Sequence, residues 1–103
     1  MARTTIDGTV NTTPAGAATA AYGAISVANT ATVIVAANAA TFSVSVNNSG
    51  AQTVWVGTDA SVTTVNGMPI QPNAEREIRT KTGVWGIVAS GTADVRYIAE
   101  RSA

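Results

Sequence analysis

The segment FSVSVNNSGAQTVWVG, residues 42–57, fixes the fold class more firmly than any other part of the chain. Apolar and polar residues alternate with period two, the signature of a half-buried strand. Phe42, Val44 and Val46 fall on one face, with Thr41, Ser43 and Ser45 on the other. Asn48-Ser49-Gly50 reads as a turn, glycine being free to take positive φ. In the returning TVWVG, Val54 and Val56 share one face, and Thr53 and Trp55 the other. The pattern predicts a β-hairpin. It contains no charged side chain, and neither does anything else between Asp7 and Asp59.

The same period runs through the rest of the chain from Ala24 onward. AISVA and ATVIVAA are β-branched runs separated by Asn29-Thr30. A longer connection follows residue 57, with a second turn at Asn66-Gly67, and Pro69 and Pro72 leave room for a short edge strand around 68–70. EREIRT carries the strongest charge and suits an exposed or edge strand, where charge blocks stray pairing. VWGIVAS and ADVRYIAE are expected to pair across Ser90-Gly91-Thr92 as a C-terminal hairpin. Trp85 and Ile87 share a face of the first, Val95 and Tyr97 a face of the second. The sum is all-β: a β-sandwich or jelly-roll-like barrel of about seven or eight short antiparallel strands.

The domain so defined occupies residues 24–103. Residues 1–23 differ: they are rich in Thr, Ala, Gly and Asn, with Pro14 in the middle and few bulky apolar groups. Such a segment buries too little apolar surface to offset its ordering entropy alone and reads as an extended N-terminal arm. MARTTIDG lacks the apolar stretch of a targeting signal, and ATVIVAANAA is too short to span a bilayer, so the chain is expected to be soluble and intracellular at synthesis.

Composition narrows the chemistry. The chain has neither histidine nor cysteine, which removes the usual proton shuttle and every Ser-His or Cys-His nucleophile pair. Glu75 and Glu77 share a strand face but lie on a short segment with arginines beside them, as a solvated edge would; a glycosidase needs two carboxylates across a cleft. Asp59 and Asp94 stand singly where a calcium site needs clustered oxygens. No catalytic residue, cofactor or metal is expected. Six basic residues balance six acidic ones, which argues against nucleic acid and anionic membranes as partners. A weakly charged surface favours association instead. Trp55, Trp85 and Tyr97 are the aromatic candidates, either as interface anchors or as a platform for sugar stacking.

Five elements together resemble a small β-domain of tailed-bacteriophage virion proteins. They are VAAN at 35–38, NNSG at 47–50, WVG at 55–57, NGMPIQP at 66–72, and the segment around ASGTADV at 89–100 that ends in Glu100. The resemblance covers most of 31–100 and leaves the arm outside. It implies a virion structural protein, most simply a capsid decoration (cement) protein seated on the outer head surface. Such a protein would form a homotrimer and clamp subunits of the major capsid protein together. Trp55 and Trp85 would then serve the trimer or shell contact, and Arg3, Thr4, Ile6 and Asp7 would anchor the arm to the capsid. The alternative is a tail, baseplate or lectin-like module that binds host surface glycans.

Overall fold

The computed structural model describes residues 19–102, and these form eight strands without a helix. They are β1 (Thr19–Ala28), β2 (Thr32–Val35), β3 (Thr41–Asn48), β4 (Val54–Gly57), β5 (Met68–Ile70), β6 (Glu75–Ile78), β7 (Val84–Ile87) and β8 (Thr92–Arg101). The first sheet runs β1-β8-β3-β6 and the second β2-β7-β4-β5, all pairs antiparallel. β1 pairs with β8, β2 with β7, β3 with β6 and β4 with β5. The chain is thus one long ribbon doubled back at the β4–β5 loop. Rolling that ribbon adds the β3–β8 and β4–β7 pairings. This order is the jelly roll, the rolled alternative among the expected architectures. The first strand opens at Thr19, inside the segment read as the arm, so residues 19–23 belong to the sheet.

The core lies between the sheets and is built of valine. Val27, Val44, Val46, Val54, Val84 and Val95 are fully buried, with Ile34, Ile70, Val88, Ala93 and Ala99 around them. β-branched side chains suit this layer because their restricted χ1 fits the pleated surface. Gly86 faces the same layer, and a Cβ there would lie 2.9 Å from Ile34 Cδ1. The missing side chain is what lets Ile34 reach across.

Neither expected hairpin forms. β3 and β4 lie in opposite sheets, and so do β7 and β8. Alternation reports which face of a strand is buried, and a crossing between two sheets satisfies it as well as a hairpin does. Here Val44 and Val46 from one sheet and Val54 and Val56 from the other join a single core cluster. Side by side in one sheet, those residues would still need a second layer to cover them. Phe42 also departs from its expected face. β3 is bulged against β8 between Thr41 and Ser43, and the extra residue, Phe42, turns outward and is 40% exposed. Thr41 is buried in its place.

Both crossings lie at one end of the roll and are tied together. Asn48, fully buried at the end of β3, donates through Nδ2 to the carbonyls of Gln52 (2.7 Å) and Ile70 (2.9 Å). Its Oδ1 accepts from the Gly50 N–H (2.9 Å). Gln52 Nε2 donates to the carbonyls of Ser90 (2.7 Å) and Thr92 (3.2 Å) in the β7–β8 crossing. Gly50 lies so close to β8 that a Cβ would stand 2.9 Å from that of Ala93.

Candidate association surface

Charge is divided between the two sheets. β2, β4, β5 and β7 carry none at all, whereas β6 and β8 carry Glu75, Arg76, Glu77, Asp94, Arg96, Glu100 and Arg101. The second sheet therefore turns an uncharged face to its outside. Register places its residues: Val33 is opposite Trp85, which is opposite Gly57, while Ile87 is opposite Trp55, which is opposite Pro69. Paired residues share a face, so Val33, Trp55, Pro69, Trp85 and Ile87 all point away from the valine core.

Both tryptophans singled out in the sequence thus lie on this outer face, diagonal neighbours on β4 and β7, and both are half-buried. Part of the cover of Trp55 comes from the β4–β5 loop, which folds back over the sheet. Val62 is buried against Gly57, where an added Cβ would meet Val62 at 3.0 Å. A Cβ on Gly67 would lie 2.7 Å from that of Trp55. The loop is braced internally: Asn66 Oδ1 accepts from the Thr63 N–H (2.7 Å), and Asp59 accepts from the N–H and hydroxyl of Ser61. Those two bonds hold the Asp59 carboxyl below its ordinary value. Val65 and Met68 stay exposed at the rim.

Tyr97 does not join the tryptophans. It belongs to the first sheet, faces inward beside the core, and its ring lies over Gly23, where a Cβ would meet it at 3.1 to 3.3 Å. An aromatic platform of all three rings therefore does not exist. Sequence reasoning missed a different aromatic, Tyr22, which falls within the segment read as the arm. It stands 82% exposed on the outer face of the first sheet, opposite Ile98, itself 51% exposed. Together with Ala24, Ser45, Asn47, Glu75 and Arg96 these residues line an open groove of about 450 Å³. Arg96 is paired with Asp94 at 2.9 Å, which raises its affinity for the proton further. Arg3, Thr4, Ile6 and Asp7 lie outside the described residues.

The carboxylates are dispersed. Glu75 and Glu77 sit on the edge strand β6, where Glu77 accepts a hydrogen bond from Ser43 (2.6 Å) and lies 3.6 Å from Arg79. Among the described residues no three of His, Cys, Asp and Glu cluster as metal ligands would. Comparison with protein families, with curated proteins and with solved structures finds no match for this chain.

Proposed function

We propose that this chain is an assembly protein of a bacteriophage virion, a capsid decoration protein that associates as a homotrimer and braces major capsid protein subunits on the outer head surface. The observation that carries the reading is the uncharged outer face of the second sheet, with two half-buried tryptophans on it. Charge-depleted, aromatic surface is what the centre of a protein–protein interface looks like. Three copies meeting through this face would contact a shell at three equivalent points, so each contact can be weak while the whole is tight. Stabilisation would follow mass action, because the protein favours only the shell form it binds. The arm would supply the reach, with Arg3, Thr4, Ile6 and Asp7 as its anchoring groups.

Label electron microscopy of purified virions tests the setting: label spread over the head supports the reading, and absence from the virion ends it. Sedimentation of the purified chain tests the trimer, which requires a mass of three times 10.4 kDa. A chain beginning at Thr19 tests the arm. It keeps all of β1, so loss of shell binding without loss of the fold is the expected result; a cut at Gly23 would also remove part of the first sheet.

The groove on the first sheet favours a second reading, a recognition module for host surface glycans. Tyr22 offers an exposed ring beside the hydrogen-bonding groups of Ser45, Asn47, Glu75 and Arg96. Glycan-array binding that is lost in Tyr22→Ala would support it, and label confined to the tail tip would place it ahead of the first.

A further inference from the structure

The four outer edges of the two sheets are not equally protected. β6 presents Glu75, Arg76 and Glu77, β5 is three residues long with Pro69 at its centre, and β2 is four residues long with a break in register. Each is a standard guard against edge pairing. β1 has none of them. It runs ten residues from Thr19 to Ala28 without charge, proline or register break. Among the described residues no strand lies against its outer side from Ala20 to Ser26.

The direction of its free groups follows from its end. Ala28 gives its N–H to Thr32 Oγ1 (3.1 Å), and its carbonyl accepts from the Val88 N–H (3.1 Å), so both point away from β8. Alternation along ten consecutive antiparallel pairs turns the N–H and C=O of Ser26, Ala24, Tyr22 and Ala20 the same way. These four residues form a row of backbone donors and acceptors centred on Gly23.

We infer that β1 is a homotypic docking edge, pairing with β1 of a second copy about a two-fold axis at Gly23 and joining two first sheets into one. A segment that meets itself across a two-fold axis is antiparallel by symmetry, and an uncharged strand brings no like charges together in doing so. An axis at Gly23 engages all four outward residues, with Tyr22 opposite Ala24 and Ala20 opposite Ser26 of the other copy. The large side chain then lies over a small one. At the axis itself, the closest approach of an antiparallel pair (about 4.5 Å between Cα atoms) falls where there is no side chain. An axis at Tyr22 would instead set two rings against each other. The pairing is independent of the tryptophan face: with a trimer formed there the smallest closed assembly is six, and without one it gives a dimer.

The test is native mass spectrometry and sedimentation of the full chain from about 1 to 100 µM, with hydrogen exchange read at residues 20–26. Wild-type chain is expected to assemble in even numbers, with the amides of Tyr22, Ala24 and Ser26 gaining protection as concentration rises. Ala24→Pro removes an outward N–H without removing a bond to β8, and Ala24→Lys places charge on the edge. Each should halve the assembly and weaken self-association at least tenfold, with thermal unfolding confirming that the domain is intact. Assembly unchanged in both variants overturns the pairing, and a residual factor of three would leave the trimer reading standing. Protection at these amides that is independent of concentration also overturns it, and assigns the edge to the chain's own N-terminal residues. Doubling that depends on Ala24, with no factor of three, upholds the pairing and removes the trimer.

Discussion

Replacing Asn48 with alanine should be among the most damaging single changes in the molecule. Its side chain is fully buried and makes three hydrogen bonds, to the Gln52 and Ile70 carbonyls and from the Gly50 amide. Each such bond contributes about 1 kcal/mol net, and stranding the buried Ile70 carbonyl adds about 1 to 2 kcal/mol of desolvation. The loss comes to about 4 kcal/mol, against a total stability of about 5–15 kcal/mol for a domain. For a domain of this size that corresponds to a fall in Tm of about 15–30 °C. Urea denaturation followed by tryptophan fluorescence is the assay, with Asn47→Ala as the neighbouring control. Asn47 makes one long bond, 3.4 Å to the Ala74 carbonyl, and accepts one from Ser49 at the surface, so its loss should cost less than about 1 kcal/mol. If Asn48→Ala falls within 1 kcal/mol of wild type, the crossing is not held by this side chain, and the account of how β3 passes to β4 is wrong.

Further outcomes follow from the outer faces and the long loop. Val33→Lys puts a charge on the edge of the tryptophan face at a 40% exposed site; monomer stability should stay within about 0.5 kcal/mol while sedimentation shows loss of trimer. Gly67→Ala should push the loop off Trp55, seen as a red shift and easier quenching of tryptophan emission, because the added carbon meets Trp55, Thr63 and Val62 all within 3.0 Å. The Asp59 carboxyl is held below its ordinary value of 3.8 by Ser61. A depressed folded pKa stabilises above the unfolded value and ceases to do so as pH falls through the folded one. Protection of the amides in 58–67, taken relative to the intrinsic exchange rate at each pH, should therefore fall below about pH 4, and Ser61→Ala should shrink that fall, because without the hydroxyl the folded and unfolded values draw together.

The strands were legible because the signal for a strand is local. Every segment read as a strand became one, including the short segment at Met68–Ile70 and the charged edge at Glu75–Ile78. What was not legible was which strand lies beside which. Asn48 shows why: in sequence it opens a turn motif, and nothing local distinguishes a turn asparagine from one that is buried and bonded to a carbonyl 22 residues away. Phe42 shows the same limit from the other side, since a bulge set by pairing with β8 reversed the face its spacing implied. Trp55 and Trp85 could be found by residue type and alternation. The exposure of Tyr22 depends on β1 beginning well before Ile25 and Val27, in a stretch of Ala and Gly with weak strand preference.

Doubling the chain back on itself also dictates when it can fold. β7 lies between β2 and β4, and β8 lies between β1 and β3, so the inner partners in both sheets come from the last quarter of the sequence. While the chain is being made, strands β1 to β4 have no native strand among themselves to pair with, and residues 8–58 carry no charge to keep them apart. Contacts this distant in sequence close slowly, and transiently open strands are exposed to aggregation. A nascent chain of this design must wait for β7 and β8 before either sheet can close. Loss of the final ten or twelve residues would leave β1 and β3 without the strand that joins them, so a small truncation at the C-terminus should abolish the fold rather than fray it.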